Sequence, residues 1–355
     1  MSKKVEFYIY NTMFSNILIN KRNLINNIIY LKSHSQGKLC LMVKANAYGH
    51  GDKEIVEIAS DYVDFFGVSN MREALSVRGS TDKPIIVFGG CEDYAKCIEN
   101  DISFALFSFD QTKEIIKICK ASNGKPRMHL CVNSGMNRYG VREISECKKI
   151  IALLQKNNIE LEGLYTHFSS LTTDSAYTQK QIERFEDFRA LIPKEWNTIV
   201  HVGGGRSIFE GYHVDMNRVG LYAYGYGDEM LNPVMKVTSQ IVDIVDVKKG
   251  EHVGYLCGFT APKNMTVATI PLGYGDGFPR KLSNKLEVEI NGKKVKNVGN
   301  ICMDAFMVDV SKLRCKVGDS VTIFENASLL APLIESTEYE VLTNMTKFRG
   351  DKKII

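Results

Sequence analysis

What this chain of 355 residues lacks narrows its class before any motif is read. No apolar run approaches the ~20 residues a membrane-spanning helix needs, so no membrane association is expected. The amino terminus, MSKKVEFYIYNTMF, has two lysines but no uninterrupted apolar stretch, which argues against a signal peptide. The nine cysteines form no C-x-x-C pair, and an odd number argues against a closed disulfide framework. Cys40, Cys131 and Cys302 sit inside apolar runs, where a reduced, buried thiol is the expected state; a reducing cytoplasm fits, and no metal is expected. The net charge of +4 is too small to predict a nucleic-acid partner or an anionic membrane surface, though it leaves room for a local basic pocket. There is no internal repeat, low-complexity tract or long linker.

What is present is an alternation. Residues 5–19 read as a strand-like entry, and Asn20–Ser33 carries a helical apolar pattern through Leu24, Ile28, Ile29 and Leu31. Short apolar runs then recur at Leu39–Lys44, Phe65–Val68, Ile85–Phe88, Phe104–Phe107, Met128–Val132, Leu161–Thr166, Ile199–Val202 and Val219–Tyr222. Between them lie amphipathic stretches such as Asp52–Ala59, Met71–Arg78, Gln111–Cys119, Glu143–Leu154 and Thr178–Leu191. Roughly eight strand–helix units predict an α/β fold of the (β/α)8, TIM-barrel type. A doubly wound open sheet is the alternative; against it, no G-x-G-x-x-G follows the first strand. After about Gly227 the texture changes to β-branched runs broken by turns: Val237–Val247, His252–Tyr255, Met265–Ile270, Leu286–Ile290, Val295–Val298, Ala305–Val310 and Ser320–Ile323. Asn291-Gly292 is a hairpin signal between two of them, and a helical pattern returns only at about Ala327–Ser336. The expected domains are therefore a barrel over 1–231 and a mostly-β C-terminal domain over 232–355, which the entry strand could join.

In a barrel, chemistry collects at the carboxyl ends of the strands. The first ends in Lys44 within LCLMVKANAYGHG, with Tyr48 in the following loop. Burial makes an ammonium costly and a neutral, nucleophilic amine easier to reach; the bland reading is a lysine that snorkels to solvent. The fifth strand runs into Asn133-Ser134-Gly135-Met136-Asn137-Arg138, and the sixth ends at Thr166-His167-Phe168. The seventh ends at His201 and flows into Gly203-Gly204-Gly205-Arg206-Ser207, while Arg218 precedes the eighth. Consecutive glycines let backbone N–H groups approach a phosphate, and they also make a plain tight turn. His167 alone reads equally as a satisfied polar residue, and Arg138 as a solvated charge. Together, a lysine, two arginines, a histidine and a glycine-rich turn suggest an anionic, aldehyde-bearing cofactor. In the β-rich part, Gly273-Tyr274-Gly275-Asp276-Gly277 holds a tyrosine at a turn, a possible general acid or base or a surface ring. Asn300-Ile301-Cys302-Met303-Asp304 alone suggests only a buried strand.

With these residues assembled, the chain resembles the alanine racemases over nearly its whole length. VKANAYGHG is highly specific, and SGMNRYGV, THFSS, NRVGLYAYG, LGYGDGFPR, GNICMD and YEVLTNM resemble the family's other blocks in its order. The resemblance implies pyridoxal 5'-phosphate as cofactor, held by Lys44 as a Schiff base. It makes Lys44 one of two acid/base groups and Tyr274, from the other subunit of a head-to-tail homodimer, the opposing one. Arg138 resembles the arginine near the cofactor phenolate oxygen and the substrate carboxylate. His167 matches the histidine contacting the ring, and Arg218 the arginine facing the pyridine nitrogen. Tyr48, Gly204, Gly205, Gly220 and Leu221 correspond to phosphate contacts, with Ser207 a substitute for a missing serine. Met303 of the second subunit resembles a backbone donor to the substrate carboxylate. The implied activity is racemisation of a small amino acid, alanine first and serine second, supplying D-alanine for a bacterial cell wall.

The chain departs from the family pattern in three places. Cys131 stands where many members have a lysine that orients the active-site arginine. Gly204 and Gly205 replace an asparagine–serine pair, and no tyrosine stands near Lys347–Phe348 to reach the phosphate. Three rivals remain: a fold-related decarboxylase of basic amino acids, a non-catalytic cofactor-binding protein and a degenerate racemase. The decarboxylases place an acid at the pyridine nitrogen and a cysteine on the β domain, where this chain has Arg218 and Tyr274.

Overall fold

Strands covered on both faces must be apolar throughout, and the runs found above close into such a sheet. The computed structural model describes residues 14–122, 124–203, 205–212 and 214–355. Eight parallel strands form a closed barrel: Lys38–Met42, Phe65–Val68, Ile85–Val87, Ile102–Leu106, Met128–Cys131, Gly163–His167, Ile199–Gly203 and Met216–Val219. The last pairs back to the first, with Lys38 opposite Met216 and Leu41 opposite Val219. Most strand residues are buried on both faces, as a helix-covered parallel sheet requires. The helices Asp52–Ala59 and Met71–Arg78 have the bounds their periodicity predicts; the second is capped by Asn70, whose side chain accepts from the Glu73 N–H.

The chain divides into two units: Lys21–Asn232, and Pro233–Ile355 with the described part of Met1–Asn20. The second is mostly β. Its six-stranded sheet runs in the order Lys293–Lys296, Glu287–Ile290, Ser320–Phe324, Met235–Gln240, Asn16–Ile19 and Asp351–Ile354. Asp243–Val247, Met265–Ile270 and Phe306–Asp309 form a three-stranded sheet. Burial alternates along Met235–Gln240 and Glu287–Ile290, the signature of a sheet with one covered face. Asn291 (φ 50°) and Gly292 (φ 73°) both take the left-handed region, making the tight hairpin that their identity predicts.

Four expectations are corrected. The eighth barrel strand is Met216–Val219, not Val219–Tyr222, so Arg218 lies inside the strand rather than before it. Polar Asn217 and Arg218 interrupt the apolar pattern, and the aromatic run after Gly220 is buried in turns. Val237–Val247 is two strands in different sheets, broken after Gln240. The pattern at 327–336 is two 3-10 turns, separated where Pro332 cannot continue a helix, and the helix proper is Glu338–Asn344. The entry strand is Asn16–Ile19; residues 5–13 of that expectation lie outside the described residues.

Candidate active site

Lys44 follows the first barrel strand and opens a turn of unusual backbone. Ala45, Asn46, Ala47 and Tyr48 all have φ between 51° and 54°, a left-handed turn without glycine. Such a conformation costs about 1–2 kcal/mol per residue. Hydrogen bonds offset it: Ala47 N–H donates to Val43 O (2.8 Å), Gly49 N–H to Ala45 O (3.0 Å) and Gly51 N–H to Asn46 O (3.0 Å). The Ala45 N–H donates to Glu73 Oε1 (2.9 Å), while Glu73 Oε2 accepts from the Ser69 N–H and hydroxyl (both 2.8 Å). Strain held this firmly marks a site where backbone direction matters. Its effect is to bring Tyr48 back over the eighth strand's exit: a Cβ on Gly220 would lie 2.5 Å from the Tyr48 hydroxyl.

Arg218 projects into the barrel and is 5% exposed. Its Nη1 donates to His201 Nδ1 (2.6 Å) and its Nη2 to Thr166 O (2.8 Å). Phe88 and Tyr165 carry their ring centres 4.8 and 4.7 Å from the guanidinium carbon, holding it by cation–π contact. Burial lowers the Lys44 ammonium pKa, and so do Arg138 and Arg218; Glu73 alone pulls it upward. His167 is pushed down to about 3, first by burial and then by Arg218, Arg138 and Lys44, so the ring is neutral. A Cβ on Gly203 would lie 2.3 Å from Arg218 Nη2 and 2.4 Å from His167 Nδ1, so these two heads are adjacent, and Lys44 and Arg138 are near enough to act on His167 electrostatically. Two guanidinium groups and the Lys44 amine surround a neutral imidazole, with the Glu73 carboxylate already committed to backbone and hydroxyl donors.

The residues present fit pyridoxal phosphate, an anionic aldehyde. Lys44 offers an amine whose proton is loosened, and Arg218 offers a fixed cation. Among the described residues, the N–H groups of Gly220 and Leu221 have no hydrogen-bond partner within the chain. Gly205 opens a 3-10 turn, Gly205–Ile208, in which Ser207 is buried; Gly204 lies outside the described residues.

Cys131 and Asn133, at the strand end that leads to Arg138, are engaged otherwise. Burial pushes the Cys131 thiol up to about 11, so it is neutral. Asn133 Oδ1 accepts from the Asn137 N–H (3.0 Å) and the Gly135 N–H (3.3 Å), and so shapes the loop rather than gripping the guanidinium. The Arg138 head lies over the Tyr139 ring, 5.7 Å from its centre.

Tyr274 and Met303 belong to the other unit, where they are neighbours. The Tyr274 N–H donates to Cys302 O (3.0 Å) and the Gly275 N–H to Met303 O (2.9 Å). Buried Asp276 accepts from the Gly273 N–H (3.0 Å) and takes a two-point grip from Arg349 (2.7 and 3.1 Å). Arg349 also reaches Asp304 (2.8 Å), tying the two loops together. Tyr274 and Met303 remain 43% and 52% exposed.

Sequence reasoning passed over Phe88, Tyr165, His129, Glu162 and Arg349. A histidine inside the run Met128–Cys131 and an acid just before a buried strand were the available signals, and neither names its partner.

Residues 19–228 match the family model of the alanine racemase N-terminal domain, and residues 234–351 that of the C-terminal domain. An alanine racemase of Francisella philomiragia is 32% identical, over 93% of this chain and 97% of that one. Among solved structures, the alanine racemase of Clostridium difficile 630 superposes with a TM-score of 0.91 at 30% identity, over 97% of this chain and 96% of the other. That of Bacillus anthracis, solved with bound L-Ala-P, superposes with a TM-score of 0.87 at 27% identity, over 96% and 95% of the two chains.

Proposed function

The chain belongs to the alanine racemase family and is an isomerase, and we propose that it interconverts L- and D-alanine with pyridoxal 5'-phosphate by a two-base mechanism. The observation that carries this reading is the convergence of half-buried Lys44 and His167, exposed Arg138 and buried Arg218 in one cation-rich site at the barrel strands' carboxyl ends.

Inversion at Cα takes a proton from one face and returns one to the other, so two groups must flank one carbon. Lys44 Nζ serves one face, because burial and two arginines favour its neutral form. The Tyr274 hydroxyl serves the opposite face, supplied by the second protomer of a head-to-tail homodimer. Its exposure on a turn fixed by Asp276 and Arg349 suits a group presented to a partner. Arg138 and the Met303 backbone bind the substrate carboxylate. Tyr48, Gly204, Gly205, Ser207, Gly220 and Leu221 would hold the phosphate. The cofactor, when bound, withdraws electrons from Cα and so acidifies its proton. Arg218 keeps its own proton and gives none to the pyridine nitrogen, a choice that restrains side reactions. The product serves a bacterial cell wall from the cytoplasm.

The test is exchange of each L-amino acid in deuterated water by the purified holoenzyme. Loss of the Cα proton together with appearance of the D form is expected for alanine. Lys44→Ala should abolish both, by about 10^3-fold or more, along with the visible absorption of the lysine-bound cofactor. Retention of that absorption band in the variant would sink the assignment of Lys44.

A further inference from the structure

Arg218 is the visible end of a longer buried chain. His201 Nε2 lies 2.7 Å from His129 Nδ1, and His129 Nε2 lies 3.1 Å from Glu162 Oε2. Both imidazoles are fully buried. Glu162 also accepts from the Ser103 hydroxyl (2.5 Å) and from Arg127 (2.5 and 3.0 Å), and Arg127 is gripped in turn by Asp101 (2.8 and 3.0 Å). Glu162 precedes the strand Gly163–His167, so the chain crosses the barrel interior from that strand's amino end to Arg218. Gly163 makes room for it: a Cβ there would lie 1.9 Å from His129 Nδ1.

Donor and acceptor rules fix every proton along this path. A guanidinium can only donate, so His201 Nδ1 must accept from Arg218. A neutral His201 then carries its hydrogen on Nε2 and donates to His129 Nδ1. The hydrogen of His129 is left on Nε2, where it meets the Glu162 carboxylate. Reversing any one bond would set two buried donors or two acceptors against each other, which costs roughly 1–3 kcal/mol per unmet group. A charged imidazole at either position does the same. Burial holds both histidines below their usual pKa, with nearby Arg218 acting in the same direction.

We propose that Glu162 is a positioning residue for Arg218: through His129 and His201 it selects the one tautomeric arrangement that presents a lone pair to the guanidinium. The role of Arg218 in the reaction rests on the proposed racemase reading; the direction of the chain does not. Without an acceptor at Glu162, His129 has no reason to keep its hydrogen on Nε2. The lone pair facing His201 is then lost in part of the population, and Arg218 loses its fixed orientation.

Neutron diffraction from deuterium-exchanged crystals of the wild-type protein tests the direction. A deuteron is expected on Nε2 of both His129 and His201; one on either Nδ1, or on both nitrogens of either ring, overturns the proposal. Nitrogen-15 shifts of the same rings in Glu162→Leu should show mixed His129 tautomers, whereas Glu162→Gln, which keeps an acceptor oxygen, should restore the wild-type pattern. In the holoenzyme, Glu162→Leu should lower kcat for alanine about tenfold with KM unchanged, as loss of a hydrogen bond to a charged group implies, and Glu162→Gln should recover it. Wild-type kcat in Glu162→Leu overturns the proposal. An enzyme that races no alanine but shows the expected deuterons would refute the racemase reading and leave the chain standing.

Discussion

The surroundings of Lys44 and those of Tyr274 are built on opposite principles. Around Lys44, in the barrel unit, position is enforced by burial and charge: Arg218 is clamped between two aromatic rings, and His167 is held neutral first by burial and then by Arg218, Arg138 and Lys44. Around Tyr274 the backbone is fixed and the ring is left open, since Asp276 and Arg349 hold the turn while the ring stays 43% exposed. A group that must be deprotonated at rest benefits from an environment supplied by its own fold. A group delivered to another chain's site needs only a rigid mount. The difference accords with the proposed exchange of Tyr274 between protomers.

The largest test of that contrast is complementation. Lys44→Ala and Tyr274→Phe should each lose racemisation by about 10^2–10^4-fold, the range for an essential acid or base. If the site is shared between protomers, unfolding and co-refolding the two variants should regain roughly a quarter of wild-type activity, because half the dimers are mixed and each mixed dimer has one intact site. No recovery, with mixed dimers demonstrated by native mass spectrometry, would mean that both groups act within one chain. Arg218→Glu comes next. An acid in its place can share a proton with the pyridine nitrogen, and the keto acid formed by transamination should rise relative to D-alanine; an unchanged product ratio would count against the role given to Arg218.

Much of this molecule was legible in the sequence, and what was hidden has identifiable causes. Barrel strands buried on both faces read as apolar runs, so their number and order came through. The eighth did not, because Asn217 and Arg218 are both buried, on opposite faces of the strand, where apolar residues are expected. Asp351–Ile354 reads DKKI and pairs in parallel with Asn16–Ile19, far away in sequence; no local pattern announces such a strand. Lys44, Arg138 and His167 follow or end strands and could be picked out by position. His129 and Glu162 could not, since a lone histidine among Met128, Leu130 and Cys131 reads as core until its partners are located in space.

A smaller effect should follow from loosening the mount of Tyr274. Arg349→Leu removes the grip on Asp276 and the bridge to Asp304 together. We expect kcat to fall about tenfold, while cofactor affinity, set in the barrel unit, stays as in the wild type. Weaker cofactor binding in this variant, read by absorbance titration, would show that the two regions are less independent than their construction implies.

The smallest expected effect concerns acid, and it separates the two regions by stability. His167 ionises at 6.5 in an unfolded chain but at about 3 in the folded one. Between those values the unfolded state binds a proton that the native state refuses, so stability falls as the pH is lowered through this window. His129 and His201 are shifted in the same direction and add to the loss. Burial pushes Glu162 up, but its bonds to His129 and Arg127 outweigh this and hold it at about 2; its contribution is fully present above 4.5 and is lost as the pH falls from 4.5 through about 2. All four groups belong to the barrel unit, whereas His252 of the β-rich unit is exposed. Mild acid should therefore lower the barrel's Tm first, by something on the order of 5 °C, and hydrogen exchange should open barrel peptides before those of the β-rich sheets. His167→Phe should flatten the dependence without abolishing it, because the two buried imidazoles beneath Arg218 would still refuse their protons.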